Sequence, residues 1–286
     1  MPFELIEPEE LSDALALLDP EDPSVRAIAG GTTLMLMIKS GLLRPKRLVS
    51  LRRIEGDFTA IRTSPEGELR IGAMARLTDL EHSVELRHAV PVIAETLLTH
   101  SNVRVRNVAT IGGNLAHADP HMDLPPVLIA LGARVAAAGP NGRRPIAVED
   151  LVSGYYQTVL ANNELITDLV IPPQGRRRAI YIKCTTRSAD DWPALGVAVS
   201  LDAADHIVRD ARVVISSATE KATRLPSVEA PLRSGAISDG LLREAAHAAA
   251  AEAAVVADDQ GSAGFKKQLV KVYVERALRR ALGLPQ

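Results

Sequence analysis

The sequence predicts a protein of mixed helices and strands that is divided into two or three compact units. A chain of 286 residues is long for one hydrophobic core. Glycine pairs at residues 30–31 and 112–113 interrupt apolar segments, and glycine lets the backbone turn sharply or approach a ligand closely. A linker at residues 172–175 (Pro-Pro-Gln-Gly) precedes a last third with the pattern of three strands and two helices.

Charge and composition exclude several functional classes. Lysine and arginine (33) nearly balance aspartate and glutamate (35), so charge gives no reason to expect binding to nucleic acid or an anionic membrane. No apolar run reaches the roughly 18–20 residues of a membrane-spanning helix. The acidic N-terminus lacks the apolar core of a signal peptide, and the single cysteine excludes an internal disulfide. We therefore expect a cytoplasmic protein.

The first part of the chain contains a candidate anion-binding turn. The pattern predicts helices over residues 9–18 and 34–39 and strands over residues 25–29 and 47–51. Gly30 and Gly31 turn the chain before the second helix, and Thr32 and Thr33 can cap that helix. Free amides and the positive end of a helix dipole then favour an anion at the turn. The Gly-x-Gly-x-x-Gly pattern of a Rossmann domain is not found here.

The middle of the chain is predicted to contain strands and helices on both sides of the second glycine pair. We predict strands over residues 68–74, 103–111 and 164–171 and helices over residues 86–99 and 124–131. Two further strands, over residues 134–138 and 144–148, are predicted to form a hairpin. The strand over residues 103–111 leads into Gly112 and Gly113, which are expected to lie in a ligand-binding loop. Asp123 can begin the second helix, whose first turn contains two prolines.

The last third is predicted to pair an antiparallel sheet with helices. The strands are expected over residues 179–185, 194–201 and 207–216, and the helices over residues 239–254 and 263–282. The final helix is amphipathic. We expect its core-facing side chains to be Phe265, Leu269, Val272, Leu278 and Leu282, and its solvated face to include Lys266.

Several short segments together resemble a known protein family. They are Ala29-Gly-Gly-Thr-Thr-Leu34, Arg106-Asn-x-Ala-Thr-Ile-Gly-Gly-Asn114, Asp119-Pro-x-x-Asp-Leu-x-Pro126, Glu164-Leu-Ile-Thr and Tyr181-x-Lys183. The chain resembles the FAD-binding medium subunit of the molybdenum hydroxylases, which include xanthine dehydrogenase and aerobic carbon monoxide dehydrogenase. The resemblance covers essentially the whole chain.

This resemblance implies a fold, a cofactor and partners. The implied fold is α+β: a PCMH-type FAD-binding part with subdomains at residues 1–57 and 58–174, then a C-terminal α+β domain with an antiparallel sheet at residues 178–286. The cofactor is FAD, expected to be non-covalent because neither glycine segment offers a histidine or cysteine for attachment. The partners are a molybdenum-cofactor large subunit and a 2Fe-2S small subunit, in a heterotrimer or a dimer of heterotrimers.

The resemblance also implies which residues contact FAD. They lie in both glycine segments, at one later aspartate and on two strands: Ala29, Gly30, Gly31, Thr32, Thr33, Leu34, Thr110, Ile111, Gly112, Gly113, Asn114, Asp123, Ile166 and Lys183. Our hypothesis is that the amides of the two glycine pairs converge on one diphosphate. No side chain is assigned a catalytic role, because the flavin itself carries the redox chemistry.

Plainer interpretations of these residues stay open. Gly112 and Gly113 could form only a tight turn or bulge. Asp123 could cap a helix, whereas as a ligand it would accept hydrogen bonds from ribose or ribityl hydroxyls. Lys183 could lie on a solvated strand face, or it could stabilise charge on reduced flavin.

Two pairs of cationic or metal-binding residues allow further alternatives. Arg104 and Arg106 are predicted to share one strand face, either in surface ion pairs or in contact with the diphosphate or the iron–sulfur subunit. His117 and His121 lie four positions apart, but Pro120 interrupts the helix that this spacing needs, so no metal site is expected.

The function that follows is that of an FAD-dependent oxidoreductase subunit. It would pass electrons from the iron–sulfur clusters of a partner through FAD to an external acceptor. The alternative is a non-catalytic nucleotide-binding assembly or maturation protein on the same fold.

Overall fold

A small parallel sheet begins the fold. The computed structural model describes residues 3–204, 207–234 and 236–285. Its first elements are β1 (Glu4–Ile6), α1 (Leu11–Leu17), β2 (Val25–Ile28), α2 (Leu34–Lys39) and β3 (Arg47–Ser50). The strands lie in the order β1-β3-β2, and α1 packs on this sheet. The helices and strands predicted for this part are confirmed, with ends that differ by two residues at most.

A five-stranded antiparallel sheet organises the middle of the chain. The elements, in order, are β4 (Ile61–Thr63), β5 (Leu69–Gly72), α3 (Leu77–His82), α4 (Val84–Ala89), α5 (Pro91–Leu97), α6 (Val103–Arg106), α7 (Ile111–His117), α8 (Leu124–Leu131), β6 (Arg134–Gly139), β7 (Gly142–Ala147), α9 (Val148–Leu151), β8 (Val152–Gly154), β9 (Gln157–Thr158) and β10 (Leu165–Ile171). The sheet order is β4-β5-β10-β6-β7, while β8 and β9 form a separate hairpin. The predicted β6–β7 hairpin and β10 are confirmed.

The single helix predicted over residues 86–99 is wrong. The chain forms two short helices there, because α4 ends at Ala89 and α5 begins at Pro91. Val90 between them has a ψ of 68°, which is not helical. Proline has no N–H to donate, and its ring disfavours helical backbone at the preceding residue.

The strand predicted over residues 103–111 is also wrong. The Asn102 side chain accepts a hydrogen bond from the Val105 amide at 3.1 Å and caps α6. An N-cap of this kind stabilises a helix and here outweighs the strand preference of the neighbouring valines. Thr110 is extended, and Ile111 already begins α7. The second glycine pair is therefore helical.

The last part of the chain packs helices on an antiparallel sheet. Its elements are β11 (Arg178–Cys184), β12 (Leu195–Ala204), β13 (Ile207–Ser216), β14 (Thr223–Arg224), α10 (Pro226–Ser234), α11 (Asp239–Glu252) and α12 (Ala263–Leu282). The strand order is β11-β12-β13-β14. The three strands and two helices predicted here are confirmed, and α10 is an additional helix.

The predicted core-facing side of α12 is confirmed at Leu269, Leu278 and Leu282, which are buried or pack against the core, and is wrong at its first turn. Phe265 is 49% exposed, whereas Lys266 is fully buried. The Lys266 ammonium donates to Asp258 at 2.6 Å and to the Ser217 carbonyl at 2.8 Å, so its charge is compensated. The buried residues of the helix are Lys266, Val270, Val274, Ala277, Leu278 and Ala281.

Helix α8 connects the middle part to the last part. All eight of its residues are buried, as expected for a helix that is apolar on every side. It packs against β11, β12 and β13, and Ala198 and Val214 of that sheet join the core of the middle part. Among the residues that the structure describes, no helix combines the length and apolarity that crossing a membrane requires.

Candidate cofactor-binding site

The first glycine turn leaves consecutive amides free. Gly31 has a φ of +72°, which glycine adopts without strain. A Cβ on Gly30 would lie 2.2 Å from the Val108 carbonyl oxygen, so only glycine fits there. Within the described ranges, the amides of residues 30–33 have no hydrogen-bond acceptor. Thr33 makes no side-chain cap on α2, so the predicted cap is wrong, but the free amides predicted at this turn are present.

The second glycine pair does not provide free amides. The Gly112 amide donates to the Ala73 carbonyl at 2.8 Å, and the Gly113 amide donates to the Thr110 hydroxyl at 3.2 Å. The prediction that both pairs offer amides to one diphosphate is therefore wrong for the second pair. These glycines serve close packing instead, because a Cβ on Gly112 would lie 2.7 Å from the Ala73 Cβ.

The two glycine segments are nevertheless neighbours. A Cβ on Gly113 would lie 3.8 Å from the Ala29 Cβ, an ordinary van der Waals contact. Leu34 begins α2 directly after the first turn, and Ile166 lies on β10, which packs against α7. The sequence-predicted residues of both segments therefore surround one region of the protein.

Asp123 lies at the centre of a buried polar network. Its carboxylate accepts hydrogen bonds from the Tyr181 hydroxyl at 2.7 Å, from His100 Nδ1 at 2.9 Å and from the Lys183 ammonium at 3.1 Å. The side chain makes no cap on α8, so that plainer interpretation is wrong. Burial raises the pKa of Tyr181 well above 10, and the Asp123 carboxylate raises it further, so the phenol remains a donor.

Lys183 is not on a solvated face. Its side chain is only 7% exposed, and its ammonium also donates to the Thr99 carbonyl at 2.8 Å. The sequence reasoning missed His100, Thr99 and Tyr181. Only Tyr181 had a usable signal, because residues two apart on a strand share a face and Tyr181 therefore lies beside Lys183.

Arg104 and Arg106 do not share a face. They lie two positions apart in helix α6; Arg104 is exposed and Arg106 is buried. Arg106 pairs with the buried Glu81 at 2.8 Å and donates to the backbone carbonyls of His100 and Ser101. The strand face predicted to be shared by both arginines is therefore wrong, and the surface ion pair is excluded as the interpretation of Arg106.

A second polar cluster joins the loop after α7 to the last part of the chain. His121 contacts Asp119 at 3.1 Å through Nδ1 and Asp258 at 3.0 Å through Nε2. Burial alone would lower the pKa of His121, but hydrogen bonds to the two carboxylates outweigh burial and raise it. Among the described residues, no three metal-binding side chains are grouped in a way that could hold a metal ion.

The His121 bridge predicts a pH dependence of stability. Because its folded-state pKa is raised, this contribution is complete below the unfolded value of about 6.5 and is lost as the pH rises through the folded pKa. His121→Gln removes it, so the free energies of unfolding of wild type and variant should converge as the pH rises above about 6.5 and through the raised folded pKa of His121. Urea unfolding of both proteins across this range measures the difference. Burial lowers the pKa of His117, which makes the free energy of unfolding change with pH in the opposite direction. Both proteins contain His117, so its contribution cancels in the difference between them. A pH-independent difference would contradict the bridge.

The family of the chain follows from comparison with known proteins. Residues 1–174 match the family model described as the FAD binding domain in molybdopterin dehydrogenase. This chain belongs to that FAD-binding family. Residues 180–281 match the CO dehydrogenase flavoprotein C-terminal domain. The predicted family, the α+β fold and FAD as cofactor are therefore confirmed.

Individual relatives match over nearly their whole length. The carbon monoxide dehydrogenase medium chain of Hydrogenophaga pseudoflava is 30% identical over 280 residues, which cover 98% of this chain and 96% of the relative. The glyceraldehyde dehydrogenase medium chain of Sulfolobus acidocaldarius is 27% identical, with 97% of each chain covered. The solved carbon monoxide dehydrogenase of H. pseudoflava that lacks the Mo-pyranopterin moiety of its cofactor superposes with a TM-score of 0.94 at 31% identity, covering 99% of this chain and 98% of that one. The chain is thus an oxidoreductase subunit.

The residues of the site fit FAD. The free amides of residues 30–33 are donors suited to a diphosphate. Asn114 is 93% buried, since its exposed fraction is 7%, and its Oδ1 has no hydrogen-bond partner in the described structure. A buried acceptor without a partner is costly unless a ligand or water satisfies it. A cofactor hydroxyl or N–H would do so.

Proposed function

We propose that this chain accepts electrons from iron–sulfur clusters of a partner subunit and delivers them through FAD to an external acceptor. Bound FAD supplies the redox chemistry, and the chain binds, orients and shields it. The observation that carries the proposal is the first glycine turn, whose free amides lie beside α7. From α7, Asn114 connects through His100 to the Asp123–Lys183 pair.

We propose that FAD is held non-covalently by the residues that the family resemblance indicated. The amides of residues 30–33 would bind the diphosphate, Asn114 would bind a donor group, and Lys183 would provide a fixed positive charge. The complete set is Ala29, Gly30, Gly31, Thr32, Thr33, Leu34, Thr110, Ile111, Gly112, Gly113, Asn114, Asp123, Ile166 and Lys183.

Energetics require more than the amide contacts. Hydrogen bonds to a charged phosphate contribute about 1.5–3 kcal/mol each, whereas association costs about 4–15 kcal/mol. Tight retention therefore needs the adenine and isoalloxazine rings to be buried against apolar side chains. Leu34 and Ile166, both half-buried, are suitable for this contact.

We propose that the chain works in a heterotrimer, or a dimer of heterotrimers, with a molybdenum-cofactor subunit and a 2Fe-2S subunit in the cytoplasm. Helix α2 supports a protein interface near the glycine turn. Five of its six residues are apolar, yet none is buried, and Leu36 is 65% exposed. Exposed apolar surface of this kind is typical of protein contacts.

We also propose the domain division 1–57, 58–174 and 178–286. Three separate clusters of buried apolar residues support it, one mainly within each range.

The test is reconstitution of the purified full-length chain. FAD titration should give a yellow protein with absorbance near about 370 and 450 nm, as flavins have. Addition of the reduced partner complex should bleach the 450 nm band. A chain that stays colourless with FAD present would favour the non-catalytic assembly protein on the same fold.

Lys183→Met should weaken FAD binding about tenfold and lower the reduction potential of the bound flavin. The variant removes a buried positive charge and leaves the Asp123 carboxylate in place, so negative charge on reduced FAD becomes less favourable. Flavin fluorescence titration and equilibration with redox dyes measure the two effects. Lys221→Met is the matched control, since among the described residues the Lys221 ammonium donates only to the Val152 carbonyl, outside the proposed contacts. An unchanged potential and affinity would remove this role from Lys183.

A further inference from the structure

We propose that His100 is a positioning residue for the cofactor: its imidazole holds the Asn114 amide so that Oδ1 faces FAD as a hydrogen-bond acceptor. His100 lies outside both glycine segments, in the turn after α5. This inference rests on the proposed FAD contact of Asn114.

The first argument is the position of His100 between two proposed FAD contacts. Its Nδ1 lies 2.9 Å from Asp123 Oδ2, and its Nε2 lies 3.4 Å from the Asn114 amide nitrogen. All three side chains are buried, with exposed fractions of 5% for His100, 3% for Asp123 and 7% for Asn114. Buried polar groups in such a network hold one another in a single arrangement.

The second argument is the direction of each hydrogen bond. Asp123 also accepts from Lys183 and Tyr181, so its carboxylate is an acceptor and His100 Nδ1 carries the proton. In the neutral ring Nε2 is then an acceptor, which requires the NH₂ group of Asn114 to face it. The amide nitrogen of Asn114 is also directed to the sulfur of Met122 at 3.3 Å.

The third argument is the oxygen atom of the Asn114 amide. With its nitrogen turned towards His100 and Met122, Asn114 points Oδ1 elsewhere, and this buried oxygen has no partner within the described residues. Reversal of the amide would place two acceptors, Oδ1 and His100 Nε2, against each other. The tautomer of His100 therefore determines that the site presents an acceptor, which suits a hydroxyl or N–H of the cofactor.

The backbone of His100 is itself held in place by the side chain of Arg106. The Arg106 guanidinium donates to the carbonyl oxygens of His100 at 3.3 Å and Ser101 at 2.7 Å, and it pairs with Glu81. Ser101 has a φ of +55°, the left-handed region that residues other than glycine rarely adopt. This fixed turn places the imidazole between α7 and α8 instead of leaving it in solvent.

Two substitutions separate the two functions of the ring. The shorter amide of His100→Asn reaches the Nδ1 position and can still donate to Asp123, but it cannot reach Asn114. The longer amide of His100→Gln reaches the Nε2 position and can still accept from Asn114. We expect His100→Asn to weaken FAD binding at least about tenfold and His100→Gln to stay within about threefold of wild type.

The experiment is a double-mutant cycle on the full-length chain. FAD dissociation constants are measured by flavin fluorescence for wild type, His100→Asn, Asn114→Ala and the double variant, together with thermal midpoints of the FAD-free proteins. If His100 acts through Asn114, His100→Asn should change affinity less than about twofold once Asn114 is alanine. Thr96→Val is the control, because this buried hydroxyl donates to the Val92 carbonyl of the same helix α5 and, in the part of the chain that the structure describes, to nothing else. It should lower the thermal midpoint without changing affinity.

Each outcome has a separate meaning. Wild type that binds no FAD overturns the proposed function, whatever the variants do. Wild type that binds FAD with His100→Asn equally tight overturns the role of His100. The role of His100 is also overturned if His100→Asn and His100→Gln lose FAD affinity equally and the loss caused by His100→Asn multiplies with that of Asn114→Ala. Such a result would indicate only a packing role for the imidazole.

Discussion

Gly30→Ala should abolish measurable FAD binding and lower the free energy of unfolding by about 3 kcal/mol, the upper end for overpacking a tight site. The added Cβ would lie 2.2 Å from the Val108 carbonyl oxygen and 2.9 Å from the Ala109 Cα. Both atoms belong to the backbone, so no side-chain rotation relieves the clash. The turn must move away from the α7 side of the site, and the free amides of residues 30–33 move with it.

FAD titration and urea unfolding measure these two effects. Gly264→Ala is the matched control, because Gly264 is a helical residue whose added Cβ would meet no described atom within 4 Å. That substitution should leave FAD binding unchanged and add about 0.5–1 kcal/mol of stability through helix preference. A Gly30→Ala protein with wild-type affinity and stability would contradict the close contact between the turn and Val108.

Arg106→Met should lower the free energy of unfolding by about 3–5 kcal/mol, the usual cost of leaving a buried charge without its partner. The Glu81 carboxylate is 10% exposed, and Arg106 is the only cation within ion-pairing distance of it among the described residues. The substitution also removes the donor to the carbonyls of His100 and Ser101. FAD affinity should therefore fall as well.

A second substitution tests the cause of that loss. Glu81→Leu combined with Arg106→Met removes both charges and should recover much of the stability, because a buried ion pair can often be replaced by apolar residues. FAD affinity should recover less, since the two carbonyls still lack their donor. Arg62→Met is the surface control: Arg62 pairs with Asp57 at 64% and 72% exposure, where a pair contributes about 0–1 kcal/mol. Urea unfolding of all variants decides between these outcomes, and a double variant as unstable as Arg106→Met would refute the buried-charge explanation.

The elements predicted well are those whose signal is local. Strands β10, β12 and β13 are apolar segments bounded by turn residues, and α12 follows a capping serine, Ser262, whose hydroxyl accepts from the Phe265 amide. The failures have local causes too. Pro91 divides the helix predicted over residues 86–99, and the Asn102 cap converts a valine-rich segment into helix α6. Both signals are present in the sequence, but a prediction that relies on the periodicity of apolar residues does not use them.

The candidate site was predictable only in part. The free amides of the first glycine turn follow from the positive φ of Gly31, which the local sequence allows, whereas the close approach of Gly30 to Val108 depends on tertiary packing. The second pair has the same residues but a different role, since the carbonyl of Ala73, in the turn after β5, accepts a hydrogen bond from the Gly112 amide. The burial of Lys266 on α12 differs from the prediction for a similar reason. A lysine normally indicates solvent, and only the remote Asp258 and Ser217 make its burial favourable.

By itself the sequence determined the family, most helices and strands, and the turn at Gly30 and Gly31, because short-range periodicity and glycine geometry act within a few residues. Tertiary structure alone decided that Lys183 pairs with Asp123, 60 positions away, and that His100 lies between Asp123 and Asn114. Such hydrogen bonds depend on how α5, α7, α8 and β11 pack against one another. The direction of the Asn114 amide, and with it the acceptor offered to the cofactor, is a product of that packing.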